Sequence, residues 1–336
     1  MEVKLLSISS NLKFAGLILI GLFGFAAFVG SIMFGVVHIS FQSVLEAFYF
    51  FDGSREHMII RNIRLPRAVI AAVVGSSLAV AGCLMQALSR NALAGPELFG
   101  INYGAALTAV LASFWLGTTS LQLYAWSSLI GAAVAGIFVF LLSSTGGQPL
   151  SSVKFVLAGS TLNLLFASMT QGILIVNEQS LDTMRFWLAG SLTGRDLNLF
   201  LQVLPYVLIG LVGSLALSGY LNIFSLGEDV AQGLGQRIRM IKILCVIVTV
   251  LLAGSAVALA GPIGFVGMAV PHIARLLIGS NYRWIVPYSA LLGALLLLAA
   301  DIGARFILVR QEIPVGVVTA FFGAPFLIYL AQRKER

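Results

Sequence analysis

The chain has 336 residues, 59% of them hydrophobic and only 10% charged, with a mean hydropathy of +1.00 and a formal net charge of +7. Soluble domains are about 25% charged, so this composition excludes a water-soluble globular protein. Lipid offers the backbone no hydrogen-bond partner, so apolar runs of about 20 residues predict helices rather than barrel strands, and the fold class is all-α and polytopic.

Apolar stretches separated by polar or Pro/Gly punctuation fall at 14–37, 66–89, 98–116, 121–143, 154–176, 197–219, 241–261, 263–279, 284–308 and 313–331. The first follows Lys4 and Lys13 but is too long for a signal peptide and lacks a small-residue cleavage site, so it reads as a span. Ten spans with short connections predict one bundle, a single domain over 1–336. An even number of spans puts both termini on one side, and Lys4, Lys13, Arg333, Lys334 and Arg336 mark that side as the cytoplasm. Twelve of the twenty Lys and Arg then lie inside. The outer excess is concentrated at Arg55, Arg61, Arg64 and Arg67, just before the second span.

Within Arg61-Asn-Ile-Arg64-Leu-Pro66-Arg67, Pro66 suits the first turn of a helix, where its missing N–H costs nothing. If the helix extends upstream, residues 61, 64 and 67 share roughly one face and present a basic patch outward. Arginine forks suit carboxylates, so an acidic protein surface or an anionic ligand is one complement; snorkelling to lipid head groups is the other reading. In the fifth span Ser160, Asn163, Thr170 and Gln171 form a polar stripe, read either as the wall of a pathway or as residues bonding back to their own helix and to neighbours.

Between the sixth and seventh spans, Ser225-Leu-Gly-Glu228-Asp-Val-Ala-Gln-Gly-Leu-Gly235 predicts a helix of about two turns on the cytoplasmic side. Ser225 and Glu228 have capping-box spacing, and Gly235 suits a left-handed stop. Such a helix, with Val230 and Leu234 beside Glu228 and Asp229, fits the groove of a partner protein. The run Ala260 to His272 holds three glycines and two prolines, which predicts broken backbone at membrane depth. Near the outer end of the ninth span Asp301 and Arg305 are four apart, the spacing of an intrahelical ion pair; Arg305 also suits the outer patch. Small residues at packing spacing, such as Gly75 with Ala79, Gly210 with Ser214 and Gly254 with Ala258, predict close helix crossings.

Cys83 and Cys245 sit in apolar runs and read as packing residues, and His38, His57 and His272 have no ligand spacing with a carboxylate or thiol, so no metal or cofactor is predicted. A phosphate-binding Gly-Lys-Ser/Thr loop is lacking too, so any ATP chemistry belongs to another subunit.

These residues together resemble the permeases of the iron-siderophore and vitamin B12 family of binding-protein-dependent ABC importers. The resemblance rests on Arg64-Leu-Pro-Arg67, Gly82-Cys-Leu-Met-Gln86, Asn91-Ala-Leu-Ala-Gly-Pro96 with Gly100, and the Leu226-Gly-Glu-Asp loop. It continues through Ala258 to Gly267, Pro271-His-Ile, Leu298-Ala-Ala-Asp301 with Arg305, and Glu312 to Thr319 with Gly323-Ala-Pro325. It implies the type II ABC importer permease fold and a second permease subunit, identical or paralogous. It further implies two ATP-binding subunits on the cytoplasmic face and an extracytoplasmic substrate-binding protein, with no nucleic acid involved. It makes Arg64, Arg67 and Arg305 docking points for the binding protein. Ser225, Leu226, Gly227, Glu228, Asp229, Leu234 and Gly235 become the coupling helix, and the fifth span and residues 181–192 border the path. The cargo it implies is an iron(III)-siderophore chelate, with cobalamin or haem as alternatives inside the family. An ion-coupled secondary transporter is the rival from another class, with Asp301 as its one plausible coupling carboxylate.

Overall fold

The computed structural model describes residues 9–35, 39–117, 120–144, 152–176, 184–307 and 312–334. Among these the regular elements are helical. In chain order they are α1 (Ser10–Met33), α2 (Phe41–Tyr49), α3 (Arg55–Ile59), a π turn (Ile60–Arg64), α4 (Leu65–Ser89), a 3₁₀ turn (Pro96–Phe99), α5 (Ile101–Leu116), α6 (Leu121–Ser144), α7 (Ser152–Val176) and α8 (184–188). Then follow α9 (Leu197–Phe224), α10 (Glu228–Gly233), α11 (Ile238–Ala260), α12 (Val266–Ile278), α13 (Tyr282–Ala304) and α14 (Val315–Lys334). Seven of these segments are long and apolar enough to cross a membrane, and Ile101–Leu116, Val266–Ile278 and Val315–Phe326 are shorter apolar helices, so ten segments answer the ten predicted spans. Lys4, His38 and Arg336 lie outside the described residues, as does the first part of 181–192.

α4 is the axis of the bundle. Nearly every residue from Pro66 to Ser89 is buried, against α13 and α11 on two sides and α12 near its C-terminal half. Small residues allow this: a Cβ on Gly82 would run into the backbone of Gly267 in α12, and Gly75 meets Gly293 of α13 in the same way. The other predicted small-residue positions also sit at crossings, Gly210 against Leu252 and Gly254 against Ala132. Helix α1 lies at the periphery against α13, with Phe14 edge-on to Trp284 and the Tyr288 hydroxyl donating to the Lys13 carbonyl at 2.6 Å. Its exposed Phe14, Ile18, Leu22 and Phe25, like Leu164 of α7 and Val212 of α9, present apolar surface that fits lipid rather than water.

The predicted break is present. Helix α11 stops at Ala260, and Gly261 turns at φ 74°, so α12 begins only at Val266. Between them Val266 N–H donates to the Gly264 carbonyl at 2.9 Å, and Phe265 at the centre has φ 75° and ψ −41°. This is a γ-turn of the rare positive-φ kind, strained for a residue with a side chain.

Candidate functional site

Three regions gather the chemistry-bearing side chains. The first lies at the N-terminal end of α4. The arginines predicted to stand together do come together, but inside the protein: Arg64, Arg67 and Arg305 are each about 6% exposed, which corrects the expectation of an outward basic patch. The arginine at 61 is separated from them. The π turn Ile60–Arg64 accommodates one extra residue, so 61, 64 and 67 do not share a face. Arg61 stays exposed, donates to the carbonyls of Ala47 (2.7 Å) and Phe48 (3.3 Å), and lies over the Phe51 ring. Arg64 instead donates to the Ile32 and Met33 carbonyls at 2.7 and 2.8 Å, and Arg305 to those of Ser31 and Phe34. These are the last carbonyls of α1, which a helix C-terminus leaves without intrahelical donors.

Asp301, with no exposed surface, binds both Arg67 (2.8 Å) and, one helical turn on, Arg305. The predicted intrahelical pair and the predicted joining of Arg305 to the cluster therefore hold together. Arg67 also binds Glu312 at 2.6 Å, and the Thr193 hydroxyl donates to the same carboxylate at 3.0 Å. Burial alone would raise the Glu312 carboxyl, but the hydrogen bond and charge of Arg67, with Thr193 and Arg305, outweigh it and hold the group below the usual carboxylate range. The network thus joins α1, α4, α13, the loop after α8 and the segment before α14.

One pair in this neighbourhood escaped the sequence reading. His57 is buried with Nδ1 2.7 Å from Asp52 Oδ1, and the backbone amide and hydroxyl of Ser54 hold the Asp52 carboxyl below its ordinary value. No group of three potential metal-ligating side chains occurs among the described residues.

The second region is at the opposite end of α4, where Arg90 lies over Phe224 at the end of α9. The predicted short helix is there, but it covers six residues, Glu228–Gly233, and the capping box does not form. Gly227, at φ 129°, is the N-cap; Ser225 stays with the last turn of α9 and donates to the Asn222 carbonyl at 2.7 Å. The Glu228 carboxylate turns instead to Lys242 of α11, whose Nζ lies 2.9 and 2.8 Å from its two oxygens. The predicted stop is correct, since Gly235 has φ 81° and closes the turn onto Gln232. Ala231 faces the protein, whereas Leu226, Val230 and Leu234, four residues apart, are exposed by 66%, 49% and 63%, with Asp229 exposed beside them. The three form an exposed apolar stripe in an otherwise polar loop.

The third region is a cavity of about 430 Å³ between α5, α7 and the break before α12, lined by Glu97, Asn102, Tyr103, Thr170, Gln171 and the backbone of Pro262 and Gly264 among others. The predicted polar stripe divides here. Thr170 and Gln171 line the cavity, though the Thr170 hydroxyl bonds back to Phe166. Ser160 bonds back to Val156, and Asn163 reaches from α7 to donate to the Glu97 carbonyl at 2.7 Å, and neither lines this cavity. Sequence reasoning overlooked Glu97, because an acid in a Gly-Pro turn reads as a solvated loop residue. A second hollow of about 420 Å³, between α6 and α11, is lined only by apolar side chains such as Phe140, Val246 and Val250, and offers no polar handle.

Comparison with known proteins agrees with this layout. The model of the FecCD transport family matches residues 19–333. The probable siderophore transport system permease protein YfiZ of Bacillus subtilis is 48% identical over 307 residues, covering 91% of this chain and 92% of that one. The ferric enterobactin transport system permease protein FepD of Escherichia coli is 41% identical, covering 91% of each chain. Among solved structures, an inward-facing "metal-chelate type ABC transporter" superposes with a TM-score of 0.83 at 29% identity, over 95% of this chain and 99% of that one.

Proposed function

The chain belongs to the FecCD transport family, the permeases of siderophore and iron ABC transport systems, and on that premise we propose that it carries an iron(III)-siderophore chelate into a bacterial cell. It does so as one of two permease subunits around a central path, driven by separate ATP-binding subunits and fed by a substrate-binding protein. The observation that carries the cargo assignment is the near full-length identity of 48% to a permease named for siderophore transport. With α10 on the cytoplasmic side, both termini are cytoplasmic and the arginine network faces outward.

Two surfaces support the partners. The exposed stripe Leu226, Val230 and Leu234 fits a groove on an ATPase, and the Glu228–Lys242 pair passes a push on α10 directly to α11. The outer cluster holds three guanidinium groups against two carboxylates, Asp301 and Glu312, and Glu312 is partly exposed. Its surplus positive charge attracts an acidic binding protein, whose carboxylates compete with Glu312 for Arg67. Docking then loosens the outer end of the bundle, a population shift driven by differential contacts. Removing the gene in an iron-starved host and following radioactive iron delivered as siderophore chelates tests the assignment. Loss of uptake for one class of ferric chelate supports it; unchanged iron uptake with loss of cobalamin or haem uptake overturns it.

A further inference from the structure

The cavity beside the α11–α12 break has an electrostatic character that the family assignment does not supply. Its lining holds one ionisable carboxyl group, Glu97, and no lysine, arginine or histidine. Two features place that carboxylate. It folds back over Gly95, where any Cβ would strike its oxygens at 2.5 Å. Its own main chain is tethered by Asn163. A missing side chain at one turn and a cross-helix tether thus hold this acid at the cavity. A second acceptor points the same way: Asn102, 5% exposed and also lining the cavity, has an Oδ1 with no hydrogen-bond partner. A buried acceptor left open is costly, and this one lines the same hollow as Glu97.

We infer that Glu97 and Asn102 form a subsite for a positively charged, hydrogen-bond-donating group on the transported chelate, such as a free ammonium, so that polyanionic chelates are disfavoured at this point. The inference rests on the import reading for its cargo, but the chemistry of the subsite stands on the cavity alone. A cation passing Glu97 draws the group into its ionised form and exchanges hydration for the carboxylate, and an anionic chelate finds no cationic side chain in the wall.

The test begins with thiol chemistry, which needs neither cargo nor partner. Gln171, exposed at the cavity, is changed to Cys in the full chain after the buried Cys83 and Cys245 are replaced by Ala. The purified protein in lipid nanodiscs is then reacted with trimethylammonioethyl and sulfonatoethyl methanethiosulfonates, each rate normalised to a free thiol. The expected preference for the cationic reagent is about tenfold or more, falling to near unity in Glu97→Gln and retained in Glu97→Asp. Equal normalised rates with Glu97 present, or a preference that Glu97→Gln leaves intact, overturn the subsite.

Whole-cell uptake of a ferric trihydroxamate with a terminal ammonium, set against the same chelate N-acetylated, gives the second arm. Glu97→Gln should lower the ammonium form's rate relative to the acetylated form, and an unchanged ratio contradicts the inference. Absence of all chelate uptake, with the thiol preference intact, contradicts the import reading and leaves the subsite supported.

Discussion

Lys242 and Glu228 are joined across two helices, the lysine nitrogen 2.9 and 2.8 Å from the two carboxylate oxygens, with the lysine side chain only 2% exposed. The pair fixes the six-residue α10 to α11, whose far end is the break at Gly261 and the γ-turn at Phe265. The short helix α10 is thereby connected, through one rigid rod, to the wall of the polar cavity.

Breaking that pair should separate energy use from transport. Glu228→Gln deprives a buried ammonium of its carboxylate and should lower stability by up to about 3 kcal/mol, Glu228 itself being part-exposed. The double change Glu228→Leu with Lys242→Met should recover much of the thermal stability without recovering coupling. Melting curves and the ratio of ATP hydrolysed to chelate moved report the two effects separately.

At the other end, Asp301 pairs with two buried guanidinium groups at once. Asp301→Ala should therefore be among the most damaging substitutions, about 3–5 kcal/mol. Arg67→Lys should also destabilise, because one ammonium cannot reproduce the fork that reaches both Asp301 and Glu312. Scanning fluorimetry of the purified protein measures both, and a wild-type melting temperature in either variant would contradict the network's role. Charge reversal at Arg64 or Arg305 tests docking poorly, since their α1 partners are lost as well.

The Glu312 tie has a pH signature. Its folded pKa lies below the ordinary value of about 4.3, so folding binds fewer protons than the unfolded chain and the tie contributes stability above that value. The contribution is lost as pH falls through the lower folded value. Wild type and Glu312→Gln should differ in melting temperature near neutrality and converge in acid; a constant gap down to the lowest pH would contradict this.

Packing around α4 gives a contrast between glycines. Gly82→Ala places a methyl against the Gly267 backbone and should prevent a correctly folded bundle. Gly172→Ala, on α7 with nothing near the added carbon, should be neutral or stabilise by about 0.5–1 kcal/mol. Yield of monodisperse protein after detergent extraction distinguishes them.

The spans were legible because hydropathy over twenty residues is set by lipid and hardly by neighbours; α4 is predicted at 66–89 and found at Leu65–Ser89. The position of α10 was legible from Gly235 and its apolar residues. Its start was not, because Ser225 and Glu228 have alternatives that spacing cannot rank: one continues α9, and the other finds Lys242, fourteen residues away. The arginines were legible as a cluster, but their burial depends on the α1 carbonyls at Ile32, Met33 and Ser31, more than thirty positions distant in sequence. Glu97 was invisible for the same reason, since its main chain is held by Asn163 of α7, 66 positions away in sequence.

The central claim is that this chain moves a ferric chelate using the energy of ATP hydrolysed by partners seated on the α10 stripe. The most direct test is chelate uptake into proteoliposomes holding the assembled transporter, with loaded binding protein outside and ATP inside. The account predicts uptake that requires internal ATP, survives a protonophore, and is lost with Leu226→Asp and Leu234→Asp together. Uptake that proceeds without ATP and collapses with the protonophore would contradict it and favour an ion-coupled transporter.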